Sequence, residues 1–256
     1  MIDIATSSEI LRKRVQRIFE SSRFTEVSCF IGELSHVGEV LVFGGLLRDV
    51  AMFGIKEFYS DVDLVVECEQ ESLDVFFQSI PNAYRNKFGG YRFQIGGWDV
   101  DVWSVRETWA FKKGLVNFID RRSLLKTTVS NWDAILYSFK SRKIFVNSGY
   151  FEELKHGKLE LVLAENPSEL GVLMRLLRSI HDGRARYLMP KALAFLQDQL
   201  EKRTPEEIYD AQVEGKGKIY FSRSEITLLR KELLLVKPDF FGTEIFLKGR
   251  NYGLDF

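Results

Sequence analysis

The sequence has few of the residues that build disulfide frameworks and zinc sites. Its 256 residues include two cysteines and three histidines. Cys29 and Cys68 lie far apart, and the histidines lack the regular spacing of zinc ligands. We therefore expect neither a disulfide nor a zinc site. Because both cysteines have apolar neighbours, we expect them to be buried, reduced thiols.

The chain also lacks a net charge and a long apolar run. Its 36 basic and 36 acidic side chains cancel, so any nucleic-acid binding must come from a local basic patch. No apolar stretch approaches the roughly 18 residues of a membrane-spanning helix, and no basic-then-apolar leader opens the sequence. These absences predict a cytoplasmic protein that does not enter a membrane. A hydrophobic fraction of 45% is enough for a sizeable core in one or two domains.

A glycine turn between a strand and a helix stands at the centre of the sequence. Val40–Phe43 has the apolar run of a short buried strand, and Gly44-Gly45 follows it as a turn. Leu46–Phe53 is then predicted to be helical, with Gly54 marking its end. A helix that begins at a glycine turn presents backbone N–H groups at its first turn.

Two aspartates open the next strand. Asp61 and Asp63 flank Val62, and because side chains alternate along a strand, both carboxylates point the same way. Two like charges held together need a cation, and Mg²⁺ prefers oxygen ligands of this kind. An isolated Asp-x-Asp is more often a solvated turn, which is the alternative interpretation. The glycines upstream favour the cation site.

The flanking segments predict an α+β fold. Apolar residues at helical spacing indicate two short helices within residues 7–35, with Ser7 or Ser8 as the N-cap. The order of the elements predicts a mixed sheet with helices on one side. Later elements are a helix and three strands joined by glycine turns, predicted over Ser72–Ile80, Tyr84–Phe88, Tyr91–Ile95 and Trp98–Val105.

The last of these strands carries a second pair of acids. Asp99 and Asp101 alternate with valines, so both lie on one face. That face is either simply solvated or, if the strand pairs beside Leu64–Val66, it brings a third carboxylate to Asp61 and Asp63. Three carboxylates suit two-metal chemistry, in which one ion activates an attacking oxygen and the other stabilises the leaving phosphate.

We expect three parts along the chain: N-terminal helices over residues 1–37, a head domain over 38–150 and a smaller, mainly helical domain over 151–256. In the last part the helical period dominates, and no sheet pattern is predicted. It holds a basic run that is either a solvated helix face or a surface for triphosphate or RNA backbone. The run comprises Arg175, Arg178, Arg184, Arg186 and Lys191.

The glycine turn and the aspartates together resemble a known family. Gly-Gly-x-x-Arg-Asp at residues 44–49, followed by Asp-x-Asp at 61–63, is similar to the head domain of CCA-adding enzymes and bacterial poly(A) polymerases, which are polymerase β-like nucleotidyltransferases. The resemblance implies that Asp61 and Asp63 bind Mg²⁺, two ions in all, with Mn²⁺ as an alternative. It implies that Gly44 and Gly45 line the phosphate site. Arg48 then contacts phosphate, or Asp49 serves as its structural partner.

Two later segments extend the resemblance, and one departs from it. Asp101 followed five positions on by Arg106 is similar to the family's acid and arginine, which implies a third metal ligand and a nucleotide contact. Arg175 and Arg178 match the arginine pattern of the family's neck helix and are predicted to contact nucleotide. The family's Arg-Arg-Asp-Phe-Thr-x-Asn segment is replaced by KTTVSNWDA, with Asp133 as the candidate for the place of the asparagine.

The resemblance implies a nucleotidyltransferase that moves a nucleoside monophosphate from an NTP, ATP or CTP, to a hydroxyl, and together with the basic run it suggests an RNA or tRNA 3′ end as the acceptor. Two alternatives stay open. The acceptor is a protein or a small molecule, which the neutral charge favours, or the chain is a non-catalytic module that binds nucleotide or RNA, which the departure near Asp133 favours.

Overall fold

The computed structural model describes residues 4–55, 60–216 and 219–245. These residues form two compact units. The first, here called the sheet unit, contains the described residues up to Thr128 together with Trp132–Glu152. The second, here called the helical unit, contains Val129–Asn131 and the described residues from Glu153 onward.

The sheet unit is built on seven strands in the order β3-β4-β5-β2-β1-β6-β7. Strands β2 and β5 pair in parallel, and the other neighbouring strands pair antiparallel. The predicted mixed sheet is therefore confirmed. Its elements in chain order are α1 (Ser8–Phe19), α2 (Thr25–Leu34), β1 (Glu39–Phe43), α3 (Gly45–Phe53), β2 (Val62–Glu67), α4 (Gln70–Phe77), β3 (Tyr84–Arg85), β4 (Tyr91–Ile95), β5 (Trp98–Ser104), α5 (Trp109–Lys112), β6 (Ile135–Ser138) and β7 (Lys143–Val146).

One face of this sheet is covered by helices. The rings of Phe30 on α2 and Phe77 on α4 lie 4.9 and 5.7 Å from that of Phe93 on β4. Phe93 pairs with Val100, which in turn pairs with Val62, and both valines are fully buried. Alternation along β2 and β5 therefore assigns Val62, Leu64, Val100 and Val102 to the helix-covered face, and Asp63, Asp99 and Asp101 to the other.

Chain from the 105–126 segment covers part of the second face. Leu41 and Val65 form a buried cluster there with Leu124 and Leu125. Asp63 lies on this same face, two residues before Val65, and is only half-buried. Near the start of β2 this face of the sheet therefore keeps access to solvent.

Helix α6 (Tyr150–His156) leads into the helical unit. Strands of this unit form a three-stranded sheet in the order β10-β9-β8, in a part of the chain where the sequence shows no clear sheet pattern. Each strand has two residues, which is too short to produce the alternation by which a strand is recognised. After α6, the elements of the helical unit are β8 (Lys158–Leu159), α7 (Glu169–His181), β9 (Tyr187–Leu188), α8 (Pro190–Lys202), α9 (Pro205–Lys216), α10 (Arg223–Leu234) and β10 (Thr243–Glu244).

Helix α1 begins where the sequence predicts. The backbone N–H of Ile10 donates to Ser7 Oγ at 3.3 Å, which identifies Ser7 as the N-cap. Across the described ranges, no helix combines the length and the apolar character needed to cross a bilayer.

The expectation of two buried thiols is wrong. Cys29 is exposed, because the buried stripe of α2 runs through Val27, Phe30, Ile31 and Leu34 and leaves position 29 outside it. Cys68, directly after β2, is half-buried. Burial raises the pKa of the Cys68 thiol to about 11, and the neighbouring Glu69 carboxylate adds to the increase.

The two thiols are expected to react with iodoacetamide at very different rates. At pH 8 we expect Cys29 to be labelled first and Cys68 at least about tenfold more slowly, because burial and the raised pKa both withhold its thiolate. Mass spectrometry of tryptic peptides over time measures the two rates. In urea the rates should converge; a native Cys68 that reacts as fast as Cys29 would contradict the burial described here.

Candidate active site

The glycine turn brings the start of α3 close to an acid. Gly44 has φ +70° and ψ −124°, a conformation that favours glycine. A Cβ atom added to Gly44 would lie 3.9 Å from Asp63 Oδ2, and one added to Gly45 would lie 3.1 Å from Ser60 Oγ. The two glycines therefore keep side-chain atoms away from the backbone at the start of α3, where it lies beside Ser60 and Asp63.

The parallel pairing of β2 and β5 places two aspartates side by side. Asp63 on β2 is the direct partner of Asp101 on β5, with their side chains on the same face. Asp61 lies two residues before Asp63, on the same side of the chain. We call Asp61, Asp63 and Asp101 the carboxylate row. The structure thus places the three acids on one face of neighbouring strands, which is the condition that the sequence analysis set for a shared site.

An arginine that the sequence analysis overlooked contacts this row. Arg92 on β4 is the antiparallel partner of Asp101. Its Nε donates to Asp101 Oδ1 at 2.8 Å, and its Nη2 donates to Asp101 Oδ2 and lies 3.5 Å from Asp61 Oδ2. The pKa of Arg92 is raised, first by the hydrogen bond to Asp101, against the opposing effect of burial, and then by the charges of Asp101 and Asp61.

The donor chemistry of the row suits Mg²⁺, because carboxylate oxygens are the ligands that this ion prefers. Among the described residues, however, no three metal-ligating side chains converge closely enough to form a metal site. Arg92 instead supplies the cation that Asp61 and Asp101 share. Metal binding by Asp61, Asp63 and Asp101 therefore stays a prediction, and it requires the guanidinium group to give way.

Behind the glycine turn, Arg48 is held by two carboxylates. Its Nε and Nη2 donate to Asp49 Oδ1 at 2.9 and 2.7 Å, and its Nη1 donates to Asp133 Oδ1 at 2.5 Å. Ser60 Oγ donates to Asp49 Oδ2 at 2.5 Å. Burial alone would lower the pKa of Arg48, but Asp133 and Asp49 more than offset it, and the pKa is raised. Asp49 is thus a structural partner of Arg48, and contact between Arg48 and phosphate stays a prediction.

A buried tyrosine lies next to this ion-pair cluster. Tyr150 is almost fully buried, and its hydroxyl donates to the Trp132 carbonyl at 2.8 Å, one residue before Asp133. Burial, followed by the charge of Asp133, raises the pKa of Tyr150. The segment that departs from the family pattern is therefore fixed at Trp132 by a hydrogen bond and at Asp133 by an ion pair. No sequence signal identifies Tyr150 in this role.

The structure does not bring Arg106 to the carboxylate row. Arg106 follows β5, is exposed, and its Nε lies 3.6 Å from Glu69 Oε1. Glu69 lies beyond the end of β2, whereas Asp61 and Asp63 lie at its start. The strand has six residues, which corresponds to about 20 Å. The predicted contact between Arg106 and a nucleotide is not tested by this placement.

Arg175 and Arg178 belong to the helical unit, on α7. Arg175 is exposed. The Arg178 guanidinium lies 5.7 Å from the ring centroid of Tyr220, and its Nε lies 3.7 Å from Asp182 Oδ2. Arg184 Nη2 donates to the same carboxylate at 2.8 Å. Part of the basic run is therefore neutralised by Asp182, and nucleotide binding by Arg175 and Arg178 stays a prediction.

No family model matches the sequence, and a comparison with curated proteins gives no match. Solved structures do match. The alignment with the Thermotoga maritima CCA-adding enzyme complexed with tRNA covers 91% of this chain and 55% of the enzyme's chain, at 19% identity and a TM-score of 0.55. The alignment with a CCA-adding enzyme with ATP covers 91% of this chain and 54% of that enzyme's chain, at 18% identity and a TM-score of 0.54. The alignment with a tRNA-processing enzyme with CTP covers 79% of this chain and 55% of that enzyme's chain, at 16% identity and a TM-score of 0.51.

The chain has a fold that CCA-adding enzymes share. The α+β class and the resemblance predicted from the glycine pair and Asp-x-Asp are confirmed at this level. The chain spans about half the length of the solved structures it matches.

The two sides of the site have complementary chemistry. The start of α3, a helix of nine residues, presents backbone N–H groups that suit phosphate oxygens. The carboxylate row suits a cation. Gly44 lies between them, since a Cβ there would touch Asp63. A polyphosphate carrying a divalent ion is the ligand that satisfies both sides at once.

Proposed function

We propose that the chain is a metal-dependent nucleotidyltransferase that moves a nucleoside monophosphate from an NTP to a hydroxyl and releases pyrophosphate. The observation that carries the proposal is the pairing of Asp63 with Asp101 beside the Gly44 turn, in a fold shared with CCA-adding enzymes. The proposed acceptor is an RNA or tRNA 3′ end, and the proposed NTP is ATP or CTP. Solved neighbours contain tRNA, ATP and CTP.

In this proposal Asp61, Asp63 and Asp101 hold Mg²⁺, two ions in all, with Mn²⁺ as an alternative. When bound, the ion neutralises the triphosphate and lowers the pKa of the acceptor hydroxyl. Gly44 and Gly45 let the backbone at the start of α3 reach the phosphates. No side chain acts as a nucleophile, so the chain's contribution is orientation and charge neutralisation.

The position of the Arg48 cluster explains how the glycine turn keeps its shape. Arg48 and Asp49 lie in the first turns of α3, and Asp133 and Ser60 come from the two segments that flank it. We infer that this cluster positions the start of α3 next to Ser60, and Arg48 remains a proposed phosphate contact. Arg106, Arg175 and Arg178 remain proposed nucleotide contacts that lie outside the carboxylate row.

Transfer to RNA is expected to depend steeply on salt. Each α-labelled NTP is incubated with Mg²⁺ and either a tRNA transcript that lacks its 3′ end or a total cell extract. We expect label in RNA, with release of pyrophosphate. If binding involves about four phosphate contacts, the apparent affinity for RNA should fall about a hundredfold between roughly 50 and 200 mM salt.

Label that enters protein or a small molecule, with an affinity indifferent to salt, would overturn the RNA acceptor and favour the alternative substrates. The chemistry of the site would then stand, because the same carboxylates serve any hydroxyl acceptor. Absence of label from every fraction would contradict the enzyme itself.

A second candidate function is a non-catalytic module that binds nucleotide or RNA. The observation that favours it is the cation that Arg92 already supplies to Asp61 and Asp101. Thermal melting separates the two functions, since a ligand that binds only the folded state raises the melting temperature. A shift with a non-hydrolysable NTP that needs no Mg²⁺, together with no transfer, would favour the module.

A further inference from the structure

Arg92 is built into the carboxylate row by the geometry of the sheet. Gly96 and Gly97 have φ +56° and +79°, which joins β4 and β5 through a two-residue turn. This turn fixes the register that pairs Arg92 with Asp101. Because Arg92 and Asp101 are direct cross-strand partners on one face, their contact follows from the backbone rather than from a chance side-chain conformation.

The contact between Arg92 and Asp101 is bidentate, and Arg92 also lies near Asp61. The guanidinium donates to both oxygens of Asp101, and the same Nη2 atom lies 3.5 Å from Asp61. Arg85 on the neighbouring strand β3 does not contact the row in this way: its Nη1 lies 3.3 Å from Asp74 Oδ2 on α4. A divalent ion and a guanidinium group repel each other, so they cannot both occupy the Asp101 and Asp61 oxygens at close range.

The Arg92 side chain also has room to move. The Arg92 side chain is 44% exposed, whereas that of Asp101 is 16% exposed. The guanidinium group can therefore move into solvent more easily than the carboxylate. A guanidinium that leaves Asp101 stays within reach of whatever binds the row. A guanidinium group binds phosphate oxygens in the same forked geometry as a carboxylate.

We propose that Arg92 couples the divalent ion to the nucleotide: it competes with the ion for Asp101 and Asp61 when no nucleotide is present, and binds triphosphate oxygens once the ion has displaced it. This role rests on the proposed function, because it takes the row as the ion site. Arg92 is then a substrate-positioning residue that disfavours loading of the row with metal alone.

Mn²⁺ binding to the full chain tests the coupling without any measurement of turnover. Free Mn²⁺ is measured by electron paramagnetic resonance for the wild type, Arg92→Gln and the control Arg85→Gln, with and without a non-hydrolysable ATP or CTP analogue. Without nucleotide, Arg92→Gln should bind Mn²⁺ about three- to tenfold more tightly than the wild type, a range set by the partial exposure of the pair. Arg85→Gln should match the wild type.

With the analogue present, the advantage of Arg92→Gln should vanish, because it lacks the guanidinium that contacts phosphate. The factor by which nucleotide strengthens Mn²⁺ binding should therefore be smaller in Arg92→Gln, and by linkage so should the factor by which Mn²⁺ strengthens nucleotide binding. Arg92→Lys keeps the charge and should restore most of the wild-type behaviour without nucleotide.

The outcomes are distinguishable. Equal Mn²⁺ affinity of Arg92→Gln and the wild type, with normal binding of Mn²⁺ and analogue by both, would overturn the role of Arg92 and leave the proposed function standing. Tighter Mn²⁺ binding with an unchanged coupling factor would overturn the phosphate contact. If the wild type binds no Mn²⁺ even with the analogue, the proposed function and this inference fall together.

Discussion

Replacing Asp63 by asparagine is expected to abolish nucleotidyl transfer while the protein stays folded. Asp63 is paired with Asp101 and lies closest to the glycine turn, so it belongs to both sides of the proposed site. Loss of one precisely oriented charge at such a position typically costs a factor of about a hundred to a thousand. We expect a fall of about a thousandfold in the rate of Mg²⁺-dependent incorporation of labelled NTP, because the carboxylate both binds the ion and orients it.

The fold should tolerate the change, since asparagine has the same shape and removes repulsion between neighbouring carboxylates. Circular dichroism and thermal melting check this. Asp99→Asn is the matched control: Asp99 lies on the same face of β5, and its carboxylate accepts a hydrogen bond from Gln94 Nε2 at 2.7 Å. We expect it to retain activity within about threefold. Full Mg²⁺-dependent activity in Asp63→Asn would show that the row is not the catalytic centre.

Of the substitutions proposed here, Arg48→Met is expected to lower the free energy of unfolding most. Arg48 is 21% exposed, and its partners Asp49 and Asp133 are 10% and 17% exposed. Removal of the guanidinium leaves two largely buried carboxylates without their cation, and breaking such a pair costs about 3–5 kcal/mol. The free energy of unfolding from urea titration measures the loss.

A double-mutant cycle with Asp133→Asn separates the ion pair from packing. If the two side chains stabilise each other, the double variant should be less destabilised than the sum of the single variants by about 1 kcal/mol or more. Lys13→Met is the control, since Lys13 and Glu9 form an exposed pair at 2.9 Å on α1; its urea midpoint should be unchanged. Independent effects of Arg48 and Asp133 would contradict the cluster as the link between α3 and Asp133.

Local signals in the sequence predict the elements around the site. Val40–Phe43, the glycine turn and the Asp-x-Asp strand lie next to one another in the chain, and each is identified by a turn residue or a side-chain period. The register of β4 and β5 is also readable, because the two-residue turn at Gly96-Gly97 makes Arg92 the partner of Asp101 by counting back from the turn. Arg92 could therefore have been found from the sequence.

Contacts between distant segments were not readable in the same way. The parallel register that places Asp63 beside Asp101 has no turn to fix it, and the sequence gives only the condition under which the acids would meet. Arg48 and Asp133 are separated by 85 positions. Their ion pair depends on where two segments pack, which neither composition nor period determines. The position of Arg106 was not readable either. It follows from the parallel pairing of β5 with β2, which places the end of β5 away from Asp61 and Asp63.

The most direct test of the central claim is to locate the ion. Crystals of the full chain grown with Mn²⁺ and a non-hydrolysable ATP or CTP analogue allow the anomalous signal of manganese to be mapped. We predict a peak at coordination distance from the oxygens of Asp61 and Asp63, with the triphosphate reaching the start of α3 and Arg92 withdrawn from Asp101. Bound nucleotide with no manganese at the carboxylate row, or manganese bound only elsewhere, would contradict the account.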